Sequence, residues 1–343
     1  MNSEIWQRLL LLESRDAVDR SYFRIHGRQL NARRSNEISA AARQAREFFR
    51  NAASADFSVK PLLTFYGVAS LSRALTLILR IDGGEEGLAR GHGLETVEWP
   101  KTLSGPISTS LAALGHLRIR TCNGLFTDLV SQTRNRLCFH IHSTTVDWRI
   151  DYDSLPAGHE VSLLELLERL PDLQANVAAL GIDKRYASVH EITYNLEAGF
   201  SAKLVAEDFA SFQQNYEKAG FLVSVADKTA TLIASAELLA HEFPQFTHAY
   251  VQKTFGSIPH LFIADRFASG VCHSQLGITY LMSFFLGMLC RYFPTHWISL
   301  IQGGKGDAHW PILNRAQHYV EQAFPELVIE MLQDIMDCGL TSN

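Results

Sequence analysis

Apolar residues recur at helical spacing through the first hundred positions. In "NEISAAARQAREFFRNAASA" the stripe Ile38, Ala41, Ala45, Phe48, Phe49 and Ala52 lies opposite arginines, which predicts a helix with one buried face. The segment "KPLLTFYGVASLSRALTLILR" behaves differently. Its polar positions Thr64, Gly67, Ser70, Arg73, Thr76 and Arg80 fall every three or four residues, so they trace one narrow seam on an otherwise greasy surface. A helix that is apolar over most of its circumference is enclosed by other helices. Pro61 suits its first turn and Gly83–Gly84 its end. Arg73 in that seam needs a carboxylate, a set of carbonyls or an anionic ligand, because an unpaired buried guanidinium is prohibitively costly.

From about residue 105 to 265 the pattern shortens. "HLRIRTC", "RNRLCFHIH", "SVHEITYNL", "FSAKLVA", "GFLVSVA" and "KTATLIAS" are alternating or β-branched runs between turn residues. "SLLELLERL" and "EDFASFQQNYEKAG" are helical interruptions. The chain then returns to helix with "QLGITYLMSFFLGMLCRYF", broken at Pro294, followed by "THWISLI" and two amphipathic helices either side of Pro325. Two all-round apolar helices far apart in sequence are best satisfied by packing on each other. The expected fold is therefore mainly α with an inserted α+β region. Residues 1–104 form the N-terminal helical part of a bundle, 105–265 a mixed insertion with antiparallel strands, and 266–343 C-terminal helices that pack back on the bundle.

Composition changes this picture little. The 343 residues are 47 % hydrophobic and 20 % charged, which excludes wholesale disorder. A net charge of −5 argues against a general polyanion binder. Locally, Arg24, Arg28, Arg33, Arg34, Arg43, Arg46 and Arg50 face only Glu37 and Glu47 between residues 24 and 50. That cluster reads either as a solvated face with structural ion pairs or as a contact to nucleic-acid or nucleotide phosphate. The five cysteines stand singly, which suits a reducing cytoplasm rather than a disulfide framework. Residues 267–290 lack Asp, Glu, Lys and Arg, but the apolar part "LGITYLMSFFLGMLC" is too short for a bilayer span. No membrane partner is expected.

Several pieces in order carry a family resemblance. The "KPLLTFYGVASLSRA" helix is followed by His92-Gly93-Leu94, then "NGLFTDL" at Asn123–Leu129, "LLERLPDL" at Leu166–Leu173 and "RYFPTHW" ending at Trp297. The set, running from Trp6 to the C-terminal helices, resembles the YaaC-like family of bacterial proteins. That resemblance implies a cytoplasmic protein whose N-terminal bundle looks like the HEPN-type bundles of RNases, nucleotidyltransferase partners and phage-defence proteins. By that analogy the expected function is a binding module for a nucleotide, RNA or a partner protein, in phage defence. The alternative is a metal-independent ribonuclease acting as a homodimer, with Arg holding phosphate and His moving protons.

HEPN-type ribonucleases use Arg-x4–6-His. Six such spacings occur here: Arg20/His26, Arg134/His140, Arg136/His142, Arg185/His190, Arg266/His273 and Arg291/His296. About three are expected from composition alone, so the motif is weak. His140 and His142 share a strand face and, with Asp147 or Asp151, are zinc candidates. They lack a third ligand at telling spacing, and no metal site is assigned. Glycine-rich nucleotide loops, the GxSxG elbow and HExxH are absent, "GGKGD" at 303–307 reads as an ordinary loop, and no cofactor is expected. The better candidate is "RGHGLE". Gly91 and Gly93 flank His92, and Arg73, Arg80, Arg90 and Arg291 are candidates to share one hollow with it, an Arg/His cluster that suits a phosphate. The plain alternative is a turn with a capping histidine.

Overall fold

The structure is a computed structural model that describes residues 3–137, 150–195, 199–206, 210–218, 220–238, 248–252 and 260–338. The chain opens with α1 (Ser3–Leu9), α2 (Arg15–His26), α3 (Ala32–Ser54) and α4 (Lys60–Leu79). Strand β1 (His92–Val97), α5 (Trp99–Thr102) and α6 (Ile107–Ala112) follow. Next come β2 (Arg118–Gly124), α7 (Leu125–Gln132), β3 (Arg136–Leu137), β4 (Ile150–Asp151), β5 (Glu160–Ser162), α8 (Leu163–Leu167) and α9 (Gln174–Ala179). Strands β6 (Tyr186–Asn195) and β7 (Gly199–Val205), α10 (Ala210–Lys218), β8 (Leu222–Ala226), β9 (Thr229–Ala234), β10 (His248–Gln252) and β11 (His260–Ala264) complete the strand-rich stretch. The chain ends in α11 (Gln275–Tyr292), α12 (Pro294–Ile301) and α13 (Trp310–Cys338).

The architecture is mainly α with an α+β region. Helix α4 is the hub that its apolar pattern predicts, packed against α3, α11 and α13. Close approach depends on small residues. A Cβ added at Gly67 would lie 2.7 Å from the Phe49 ring, and one at Gly287 would lie 2.8 Å from Phe65 Cβ. The two apolar helices from opposite ends of the chain therefore lie side by side, with Phe65 edge-on to Tyr280 and Phe284. Part of the polar seam of α4 is satisfied within the bundle. Gln317 donates to Thr64 Oγ1 at 2.7 Å, and Ser70 donates to Gln44 at 3.1 Å. By length and composition α4 could cross a membrane, and so could the α11–α12 pair if its 105° bend were one span, yet most of the α4 window is buried inside the protein.

All strand pairs are antiparallel, in sheets ordered β1-β2-β5, β10-β11-β6-β7-β9-β8 and β3-β4. Two hydrophobic cores divide the chain. The larger unites the helices with Leu114, Ile119, Phe126, Leu166 and Leu173, all from the stretch after residue 105. The smaller lies under the six-stranded sheet, with Val189, Phe200, Leu204, Tyr216 and Leu232.

Two local expectations change. "HGLETV" reads as a turn and is strand β1, because its residues pair with β2 over a bulge between His92 and Leu94. The helices expected either side of Pro325 are one helix, α13. Proline removes one N–H from a helix interior, but Phe324, Leu327 and Val328 around it are buried and hold the chain on course.

Candidate functional site

Of the five residues singled out at the "RGHGLE" hollow, three come together. Bulged β1 presents His92, whose ring packs edge-on against Phe65 (4.9 Å) and Phe284 (6.3 Å). The Tyr280 hydroxyl donates to the His92 carbonyl at 3.1 Å and fixes the backbone to α11. Arg73 of α4 and Arg291 of the last turn of α11 are the charges that act on the imidazole. Burial first, then Arg291 and Arg73, push its pKa below the usual 6.5. Arg291 donates to the Tyr66 hydroxyl at 3.0 Å and lies 4.9 Å over the Tyr292 ring. Among the described residues Arg73 has neither a hydrogen-bond nor an ion-pair partner, although it is only part-exposed. The His92 ring likewise has no hydrogen bond there.

Arg80 and Arg90 stand apart in role. Arg80 donates to Gly87 O at 2.6 Å and so closes the Gly83–Gly87 loop. Arg90 is exposed in the turn before Gly91. The glycines serve the fold rather than a ligand. Gly91 O accepts from Leu125 N, and a Cβ at Gly93 would stand 2.6 Å from Phe126 N.

The arginine cluster of residues 24–50 is consumed by internal partners. Arg24 meets Asp337, Arg28 meets Asp82, Arg33 meets Glu37 and Glu86, Arg46 meets Glu13, and Arg50 meets Glu47. Arg43 donates to Glu13 O. Arg34 is buried against the end of α4. The ion-pair reading of that cluster is the one the structure supports.

Two clefts open elsewhere, of about 450 and 440 Å³, and share the segment Asp151–Ser154. Asp151 is the charged hub of their lining. Asp151 accepts from Arg134 and Arg136 at 2.7 Å, and Arg136 also reaches Asp334 at 3.1 Å. Asn135, buried with φ 47°, ties the two sides together by donating to Asp153 O and Cys272 O and accepting from Ser274 N. Sequence reasoning missed this hub, since an asparagine in a turn carries no signal of its partners. His140 and His142 lie outside the described residues, and among those described no group of three His, Cys, Asp or Glu is arranged to hold a metal ion.

The other Arg/His spacings are dispersed. His26 contacts Ile78 O, Arg266 donates to Gly270 O, and His273 faces His159 with Nε2 atoms 3.0 Å apart. That imidazole contact was invisible in sequence, the two lying 114 positions apart.

Burial holds His26, His92, His159 and His309 below 6.5. The unfolded chain therefore binds more protons than the folded one as pH falls through 6.5, and stability drops there. Buried Glu13 and Glu168, with pKa raised from 4.5, oppose this only nearer the carboxylate range. The melting temperature is expected to be lower at about pH 5.5 than at about 7.5 at fixed ionic strength. An unchanged or higher value at the acid end would show that these imidazoles are not held neutral.

The fold is helix-rich, and beside its two buried helices the charges of Arg73 and Arg291 act on His92. A family model for the YaaC-like protein matches residues 11–332, and the chain belongs to that family. No curated protein and no solved structure matches it.

Proposed function

We propose that this chain is a non-catalytic binding module and that the notch of Arg73, His92 and Arg291 holds the phosphate of a nucleotide. One observation carries the reading. Two guanidinium groups, from α4 and α11, act on the imidazole presented by β1, and among the described residues they are the only charges that do. A guanidinium without a protein partner is what an anion satisfies. In the clefts Arg134 is already paired with Asp151 and Arg266 donates to Gly270 O. The exposed ring of Tyr292 beside Arg291 gives a base a face to stack on. The expectation that the N-terminal bundle resembles HEPN-type bundles points the same way, toward a cytoplasmic role beside nucleotide or RNA chemistry, phage defence included.

Calorimetry with sulfate, ADP and labelled RNA, all in EDTA, tests this. One site per chain is expected for ADP and for sulfate. Arg73→Gln should weaken both by about tenfold to a hundredfold, the value of a hydrogen bond to a charged group. Sulfate does not titrate in this range, so its pH dependence reports on the protein. A bound anion raises the depressed His92 pKa, so binding takes up a proton and affinity rises as pH falls toward that depressed value. His92→Gln should flatten that slope. Binding of none of the probes, or binding indifferent to Arg73, would falsify the reading. RNA cleavage in EDTA that His92→Ala abolishes would instead establish the ribonuclease.

A further inference from the structure

The six-stranded sheet ends at β8, whose hydrogen-bonded neighbour among the described residues is β9 alone. The opposite edge, β10, lies against Pro171–Leu173 of the main body. Strand β8 reads Leu-Val-Ser-Val-Ala and carries no charge, proline or bulge, the devices that normally keep an edge strand from pairing with another chain. Three of the protein's large exposed apolar side chains gather here: Leu222 at 71 %, Val225 at 41 % and Ile233 at 44 % exposure. Leu222 and Ile233 are opposite each other in the ladder and so form one patch. Helix α10 packs on this hairpin through Tyr216 and Phe221 and leaves Leu222 bare.

We infer that β8 is a dimerisation edge, pairing antiparallel with β8 of a second copy and joining two sheets into one. The strand's own sequence selects that partner. Antiparallel self-pairing centred on Ser224 sets Val223 against Val225, Leu222 against Ala226 and Ser224 against itself, so no like charges meet. Further out, the same register brings Lys228 opposite Gly220 and Asp227 opposite Phe221. The Asp227–Lys228 turn of one copy then approaches Glu217 and Lys218 at the end of α10 in the other. The strand-to-strand contact itself carries no charge, so self-pairing meets no like-charge repulsion in the ladder and is self-complementary, as an isologous interface requires. Because β8 is used once per chain, the pairing closes at two copies instead of propagating. This inference does not depend on the notch and leaves it untouched.

Sedimentation equilibrium of the full chain at micromolar concentration should give the mass of two chains. The double variant Leu222→Lys, Val225→Lys should give one, with an unchanged circular dichroism spectrum. Ser224→Cys should be joined to its own copy by a short bismaleimide, above the background from wild type, and this test disturbs no apolar contact. A monomeric wild type would overturn the inference. So would a double variant that remains dimeric, a dimer in which Ser224→Cys fails to cross-link, or an edge found occupied by a different protein in place of a copy.

Discussion

Arg34→Ala is expected to destabilise the fold by about 3 kcal/mol or more, since each buried acceptor left without its donor costs about 1–3 kcal/mol. The Arg34 guanidinium donates to Leu77 O at 3.1 Å, Arg80 O at 2.8 Å, Ile81 O at 2.9 Å and Tyr22 Oη at 3.2 Å. The last carbonyls of a helix have no partners within it, and here an arginine from α3 replaces the missing turn beyond α4. Its face also lies 5.1 Å from the Tyr22 ring centre. Tyr22 in turn donates to Ile81 O at 2.7 Å, so one substitution loosens α2, α3 and the end of α4 together. Lysine keeps the charge but not the planar fork, and Arg34→Lys should recover only part of the loss. The comparison is Arg33→Ala, whose solvent-screened pairs with Glu37 and Glu86 should contribute far less. Urea unfolding of the three variants decides it. If Arg34→Ala costs no more than Arg33→Ala, the end of α4 is held by solvent and packing alone.

Arg34 also marks what the sequence could and could not say. The helical thirds were legible because burial writes itself into spacing. The stripe of α3 and the greasy circumference of α4 and α11 follow from which faces meet neighbours, and the structure puts those helices in contact. The antiparallel strands β6 to β9 were legible for the same reason, having short alternating runs between turn residues. Partner identity was not legible. Arg33 and Arg34 are neighbours in one cluster, yet one is a solvated ion pair and the other a buried clamp, and spacing alone does not decide which faces Tyr22. Strand β1 was hidden because its first residues are a bulge with glycine in the left-handed region, which reads locally as a turn. Arg73 stood out as a cation in an apolar helix, whereas the divergence of Arg80 follows from the chain turning away at the end of α4 and could not be seen without coordinates.

Gly93→Ala is the second large effect, and it bears on the notch as well as on stability. Gly93 sits at φ +80°, and an added Cβ would meet Phe126 N at 2.6 Å, Phe126 Cβ at 2.9 Å and Gly124 C at 3.0 Å. Two of those three atoms are backbone, so no side chain can swing aside. The left-handed conformation costs an L residue about 1–2 kcal/mol and overpacking adds about 1–3 kcal/mol, which predicts a total loss of about 2–5 kcal/mol. Gly91→Ala isolates the first part. Its φ is +86° with no atom within 4 Å of the added Cβ, so it should lose only about 1–2 kcal/mol. The difference between the two melting curves measures how tightly β1 is pressed against α7. That contact positions His92, because the imidazole belongs to the residue just before the crowded glycine and its carbonyl is held by Tyr280. Gly93→Ala should therefore weaken sulfate binding even where the protein is still folded, whereas Gly91→Ala should leave it nearly intact. Equal stability losses in the two variants would mean that β1 shifts freely, and His92 would then lack the fixed backbone that positions it between Arg73 and Arg291.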